Sequence, residues 1–134
     1  MCFKKKESMK TIILSALTLL VISCTKVTKN NQPNNTQTNK IHTLKYIAES
    51  PIKTKVRYKN STGADVGEYF TGYWEYEAQI ETGYTKSFYA YLNIRKEDGN
   101  DESKITGKIL IDGKVVQEGS STDWSGVTCS YTVE

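Results

Sequence analysis

From about His42 onward the chain alternates apolar and polar residues with a period of two. Trp74, Tyr76, Ala78 and Ile80 alternate with Glu75, Glu77, Gln79 and Glu81. Phe88, Ala90, Leu92 and Ile94 alternate with Tyr89, Tyr91, Asn93 and Arg95, and Val127, Cys129, Tyr131 and Val133 alternate with Thr128, Ser130, Thr132 and Glu134. Successive side chains of a strand point to opposite faces, so each run predicts one buried face and one wet face. Leu44–Glu49, Thr54–Lys59, Lys104–Ile111 and Lys114–Glu118 are further strand candidates. No stretch beyond the leader sustains a 3.6-residue apolar period. About seven short strands in roughly 90 residues predict an all-β domain over residues 43–134, a single immunoglobulin-like antiparallel β-sandwich.

Turn chemistry adds registers. Asp112-Gly113 between Ile111 and Lys114 predicts a two-residue hairpin, because both turn positions need positive φ. Around Thr82-Gly83 a two-residue loop would set Glu77 against Phe88 on the core face. One more loop residue, Thr82–Tyr84, pairs Glu77 with Tyr89 and Glu75 with Tyr91, all facing water, so a three-residue hairpin loop is expected there.

The first residues follow a different pattern. Lys4–Lys10 form a positive segment, Thr11–Ile22 an apolar run of twelve, and Ser23 precedes Cys24. Twelve helical residues rise about 18 Å, short of the roughly 30 Å hydrocarbon core, and Lys10 and Thr25-Lys26 do not lengthen the run. Residues 1–23 therefore read as a secretory signal. Residues 24–42 follow as a tether: Thr25–Lys40 is Asn, Thr, Gln and Lys with Val27 as its one aliphatic residue. Such a segment buries too little apolar surface to offset ordering and is expected to be disordered. Its sixteen residues would reach about 20–25 Å.

Charge and cysteine usage remove several function classes. Of eighteen basic and fifteen acidic residues, the leader holds four and one, leaving fourteen of each beyond it. A neutral domain lacks the electrostatic support for nucleic-acid binding, and no nucleic-acid partner is expected. Cys2 and Cys24 belong to the leader and its end, so Cys129 has no partner within the domain, which must be held by hydrophobic burial.

Candidate chemistry is sparse. His42 stands alone at the tether–domain junction with no nucleophile motif, and no phosphate-cradling loop occurs. No catalytic residue is assigned and no enzyme activity is expected. Cys129 falls on the inward side of its alternation and reads as a buried core thiol. Glu97–Glu102 crowds oxygen donors as a hard cation would require, but Asp98-Gly99 is ordinary turn chemistry; a solvated turn is the reading, with no metal and no cofactor. Asn34-Asn35-Thr36 and Asn60-Ser61-Thr62 match glycosylation sequons and read as polar loop residues. Exposed Tyr89, Tyr91 and Trp124 offer stacking platforms for a glycan or peptide, although tyrosine is also simply a good strand former.

Two resemblances place the chain. Val21-Ile22-Ser23-Cys24, directly after the apolar run, resembles the lipobox of bacterial lipoproteins. That likeness implies a diacylglyceryl group on Cys24, cleavage before it and acylation of the new amino terminus, hence a membrane partner through the lipid. More than one acyl chain makes such anchoring stable, at about 0.8 kcal/mol per buried CH₂. Thr25 after the cysteine resembles the class sorted to the outer membrane. The lack of acid between Cys24 and Glu49 is unlike the tags of surface-displayed lipoproteins, so a periplasm-facing domain is expected. The second likeness lies in Lys55-Val56-Arg57-Tyr58, Trp74, Phe88-Tyr89-Ala90, Ile109 to Val116 and Thr128-Cys129-Ser130-Tyr131. In their order these are similar to the extracytoplasmic β-sandwich of MmpS-type proteins, membrane-associated partners of lipid exporters. It implies a non-catalytic accessory module serving a membrane transport complex or another envelope protein; a glycan- or peptide-binding lipoprotein is the alternative. No family site residue carries over.

Overall fold

A computed structural model describes residues 38–134, so Cys24, Asn34 and the leader lie outside the described residues. Six strands account for the domain, with no helix among the described residues: β1 (Lys40–Lys59), β2 (Asp65–Thr82), β3 (Phe88–Lys96), β4 (Ile105–Ile111), β5 (Lys114–Ser121) and β6 (Val127–Val133). The fold is all-β, as the alternation predicts. The strand count is six because Leu44–Glu49 and Thr54–Lys59 are two halves of β1.

The chain bends between those halves. Ser50 pairs with Gly72 and Thr54 with Phe70, so Pro51, Ile52 and Lys53 face Thr71 alone. Such an excess of residues on one strand bends it, and Pro51 sits where no ladder donor is needed. The corner buries two hydroxyls that satisfy each other. Ser50 Oγ and Thr54 Oγ1 lie 2.6 Å apart, and both reach the Ile52 carbonyl, at 2.9 and 3.0 Å.

The bend lets one edge of β1 serve two partners. Leu44–Glu49 pairs with β4, and Thr54–Tyr58 pairs with β3. β5 extends the sheet beyond β4, and β6 extends it beyond β3, giving the order β5-β4-β1-β3-β6 with β2 on the other edge of β1. The two ends, β5 and β6, come close together, so the single sheet nearly closes into a barrel-like shape. Leu44, Tyr46, Val56, Leu92, Ile94, Ile105, Ile109 and Cys129 fill its interior.

Two facing glycines set how tightly the halves meet. Gly107 and Gly119 are opposite one another on β4 and β5. A Cβ on Gly107 would lie 2.6 Å from Ile94 Cδ1, and one on Gly119 would lie 3.0 Å from Val127 Cγ1. The bare backbone there receives the side chains of β3 and β6. Cys129 Sγ points to the Gly107 carbonyl in the same seam, at 3.6 Å.

The predicted hairpin at Asp112-Gly113 is present, with φ of 51° and 77° and Ile111 opposite Lys114. The expected hairpin between β2 and β3 is not. Glu77 pairs with Lys45 and Glu75 with Ile47, because β2 returns along β1. The Gly83–Lys86 turn then carries the chain away to β3. The alternation chose the correct wet face for Glu75 and Glu77. It could not choose between two neighbours that leave that face equally wet.

Candidate ligand-binding groove

The sequence Lys53-Thr-Lys-Val-Arg-Tyr-Lys59 alternates strictly, with Thr54, Val56 and Tyr58 buried. That parity turns Lys55 and Arg57 outward on the second half of β1. Register then builds rows across the sheet. Lys55 lies between Tyr69 of β2 and Arg95 of β3; Arg57 lies between Gly67 of β2 and Asn93 of β3, with Thr128 of β6 beyond. Gly67 adds no side chain, and a Cβ there would meet nothing closer than 3.8 Å. The gap beside Arg57 is part of a groove of about 450 Å³ lined by Lys55, Arg57, Asp65, Tyr69, Tyr91 and Asn93. A second depression shares Lys55, Arg57, Tyr91 and Asn93 with it and adds Arg95.

The charges in this groove are uneven. Its carboxylate, Asp65, is held by Lys59 at 2.9 Å, and Lys53 is held by Glu97 at 3.0 Å. Among the described residues no carboxylate comes within 4 Å of Lys55, Arg57 or Arg95. Lys55 and Arg95 are nonetheless direct cross-strand neighbours, an arrangement that costs up to about 1 kcal/mol when both carry the same sign. Lys53 and Lys55 lie over the Tyr69 ring, 4.9 and 5.5 Å from its centre. Exposed contacts of this kind return only about 0.5–1 kcal/mol. Tyr89 and Tyr91 stack at 6.3 Å alongside, and Asn93 donates to Thr128 Oγ1 at 2.7 Å. The arrangement presents guanidinium and ammonium donors, an amide and tyrosine faces to an open channel. It can bind an anion bearing rings or hydroxyls, and it holds no nucleophile–base pair.

The candidates singled out in the sequence fall in separate places. Cys24 lies outside the described residues. His42 is inside β1, and its Nδ1–H donates to Asp112 Oδ2 at 2.7 Å. Asp112 Oδ1 accepts from the Thr43 amide at 2.8 Å, and the Asp112 amide donates to the Thr43 carbonyl at 2.9 Å. The pair therefore clamps the β4–β5 turn onto β1. The His42 bond and then the Thr43 amide hold the Asp112 carboxyl below its ordinary range. Cys129 is fully buried, and burial pushes its thiol up, as expected of a core thiol.

The acidic loop Glu97–Glu102 meets a buried ammonium through one main-chain carbonyl. Lys96 is 8% exposed, and its Nζ donates to the carbonyls of Asp101 and Thr122, joining the β3–β4 and β5–β6 loops. Among the described residues no group of three potential ligands is placed to hold a metal ion. Asn60 folds its own loop: Oδ1 accepts from the Thr62 amide, the Thr62 hydroxyl and the Ala64 amide. Of the aromatic candidates, Tyr91 lines the groove and Tyr89 stacks on it, whereas Trp124 is exposed beside Gly99 in another part of the surface.

Lys55, Arg57, Arg95, Tyr69 and Gly67 were not anticipated as a site. One signal is present: Lys55, Arg57 and Lys59 occupy every outward position of the predicted strand Thr54–Lys59, with Lys53 just before it. Arg95 and Tyr69 join them only through register. The chain matches no protein-family model and no curated protein.

Proposed function

We propose that this chain is a non-catalytic binding module of the bacterial envelope, anchored through Cys24, whose groove at Lys55, Arg57 and Arg95 takes an acidic carbohydrate. The observation that carries this reading is the like-charged cross-strand pair Lys55–Arg95, with Arg57 beside it and, among the described residues, no carboxylate within 4 Å of the three. An arrangement that costs stability in the free protein is accounted for when an anion neutralises it. Tyr69 and Tyr91 add ring faces on which a pyranose stacks, and Asn93 adds an amide for its hydroxyls. The described chain enters β1 at Lys40, and the groove lies on the far side of the bend at Ser50–Thr54. A transport-accessory role rests on the family likeness in the sequence alone.

The test is titration with oligogalacturonate and with a neutral oligosaccharide of equal length. Only the acidic oligosaccharide is expected to bind. Arg57→Ala should weaken it by about tenfold, the loss of one charge-assisted hydrogen bond. Added salt should weaken it further. Gly67→Leu should fill the groove and abolish binding without unfolding the domain. Equal binding of the neutral sugar, or indifference to Arg57→Ala, would remove the reading. Tighter binding of polyglutamate would transfer the groove to an acidic peptide. For the anchor, Cys24→Ala should abolish fatty-acid labelling and leave a longer precursor.

A further inference from the structure

β2 is paired along one edge. Asp65–Thr82 follows β1 for its full length, and among the described residues no strand pairs with its other side. An unpaired edge presents a row of free N–H and C=O groups, which natural proteins normally blunt with proline, lysine or short length. β2 has eighteen residues, no proline and no lysine. Its one irregularity is Gly72, at φ 83°, opposite the bend of β1. Tyr73–Thr82 beyond it is a run of ten residues paired with β1 without interruption, about 33 Å long.

The two faces of that run differ in chemistry. On the outer face Tyr73, Glu75, Glu77 and Glu81 are exposed; Glu81 is held by Lys86 at 2.9 Å, and a single Lys45 is shared between Glu75 and Glu77 at 3.0 and 3.4 Å. On the inner face Trp74, Tyr76 and Ala78 are half-buried. They continue the aromatic row of Tyr46 and Tyr58, with Tyr58 centred 5.0 Å from Trp74 and 4.7 Å from Tyr76. No strand of the described chain carries this row further. β2 as a whole holds five carboxylates and no basic residue. A second copy pairing through the same edge would bring acidic strand against acidic strand, which is unfavourable.

We infer that the edge Tyr73–Thr82 accepts, as an added strand, an extended segment of another protein in which Lys or Arg alternates with apolar residues. Strand parity places the basic side chains over Glu75 and Glu77. The apolar side chains then extend the inner row beyond Trp74 and Tyr76. Main-chain bonds supply affinity, and the charge pattern supplies selection. This surface is separate from the groove at Arg57, and neither proposal depends on the other.

The test uses the full-length protein with a synthetic eight-residue peptide alternating Lys and Val. A Glu–Val alternating peptide and a Lys-block, Val-block peptide of the same composition are the controls. Hydrogen exchange should slow at amides within Tyr73–Thr82 when the alternating Lys peptide is added, with Trp74 fluorescence changing in step. Both controls should bind at least about tenfold more weakly, as should the variant Glu75→Lys/Glu77→Lys, from two reversed cross-strand charge contacts. Glu75→Gln/Glu77→Gln, which reverses no charge, should show a smaller loss and guards against misfolding of the first variant. Arg57→Ala should leave peptide binding unchanged. Absence of protection at Tyr73–Thr82, equal binding of the block peptide, or indifference to the Glu75 and Glu77 variants would overturn the inference. Spontaneous dimerisation through this edge would overturn it in favour of a second copy.

Discussion

The two halves of the bent sheet carry opposite electrostatics on their outer faces. In the half built on the start of β1, Lys45 sits between Glu75 and Glu77, and Glu81 is held by Lys86 at 2.9 Å. Each partner shifts the other: Tyr73 and then Lys45 hold the Glu75 carboxyl down, and Glu75 first of all pushes the Lys45 ammonium up. In the half built on the end of β1, Lys55 and Arg95 face one another, and among the described residues no carboxylate lies within 4 Å of either. A neutral domain therefore conceals a segregated one. The outer carboxylates of the first half have ammonium partners within the fold, whereas Lys55 and Arg95 in the second half have only each other as charged cross-strand neighbours.

Substitutions can test that contrast, beginning where the two halves touch. Gly107→Ala puts a Cβ 2.6 Å from Ile94 Cδ1 in the seam and should cost about 1–3 kcal/mol in chemical denaturation. The same change at Gly67, in the open groove, should stay within about 0.5 kcal/mol. A seam tolerant of Gly107→Ala would mean that the halves pack more loosely than their geometry implies. Next in size, Lys96→Met removes the ammonium that joins two loops and leaves the Asp101 and Thr122 carbonyls without it, at about 1–3 kcal/mol. Faster amide exchange in both loops at once, rather than one, would report the loss of a shared tie.

Smaller effects bear on the charges themselves. Arg95→Ser should stabilise the free protein by about 0.2–1 kcal/mol at low salt, by removing a like-charged neighbour of Lys55. Lys45→Ser should do the opposite, leaving Glu75 and Glu77 to repel. Equal signs in thermal melts would show that the two faces do not differ. The smallest effect concerns the turn clamp. Asp112 has a lowered folded-state pKa, so its contribution is complete above the unfolded carboxylate range and is lost as pH falls through the folded value. The melting-temperature gap between the native chain and Asp112→Asn should accordingly be present near neutral pH and close on acidification below that range. Asn tolerates the positive φ that Asp112 adopts, so the change isolates the carboxylate.

Parity was readable at most positions, although Tyr131, on the inward side of its alternation, is 39% exposed. Leu92, Ile94 and Cys129 face inward as their alternation requires, and Asp112-Gly113 turns as its residue types require. Neighbour choice was not readable. Glu77 opposite Tyr89 and Glu77 opposite Lys45 leave the same face wet, and only the second is realised. Pro51 reads as a break between strands, yet two hydroxyls and a bulge carry β1 through the corner. The alternating basic run Lys53 to Lys59 was a legible half of the groove. Arg95 and Tyr69, distant in the chain, gave no sign of joining it.

The amino-acid sequence by itself thus determined the all-β class, most of the inward and outward faces, and one hairpin. These are local: each depends on residues within a few positions of one another. Tertiary structure alone decided that β1 bends and continues, that β2 has a single strand partner among the described residues, and that Lys55, Arg57 and Arg95 share one face. A period of two specifies a side of the sheet, whereas partners are selected by bulges, glycine contacts and the closure of the whole.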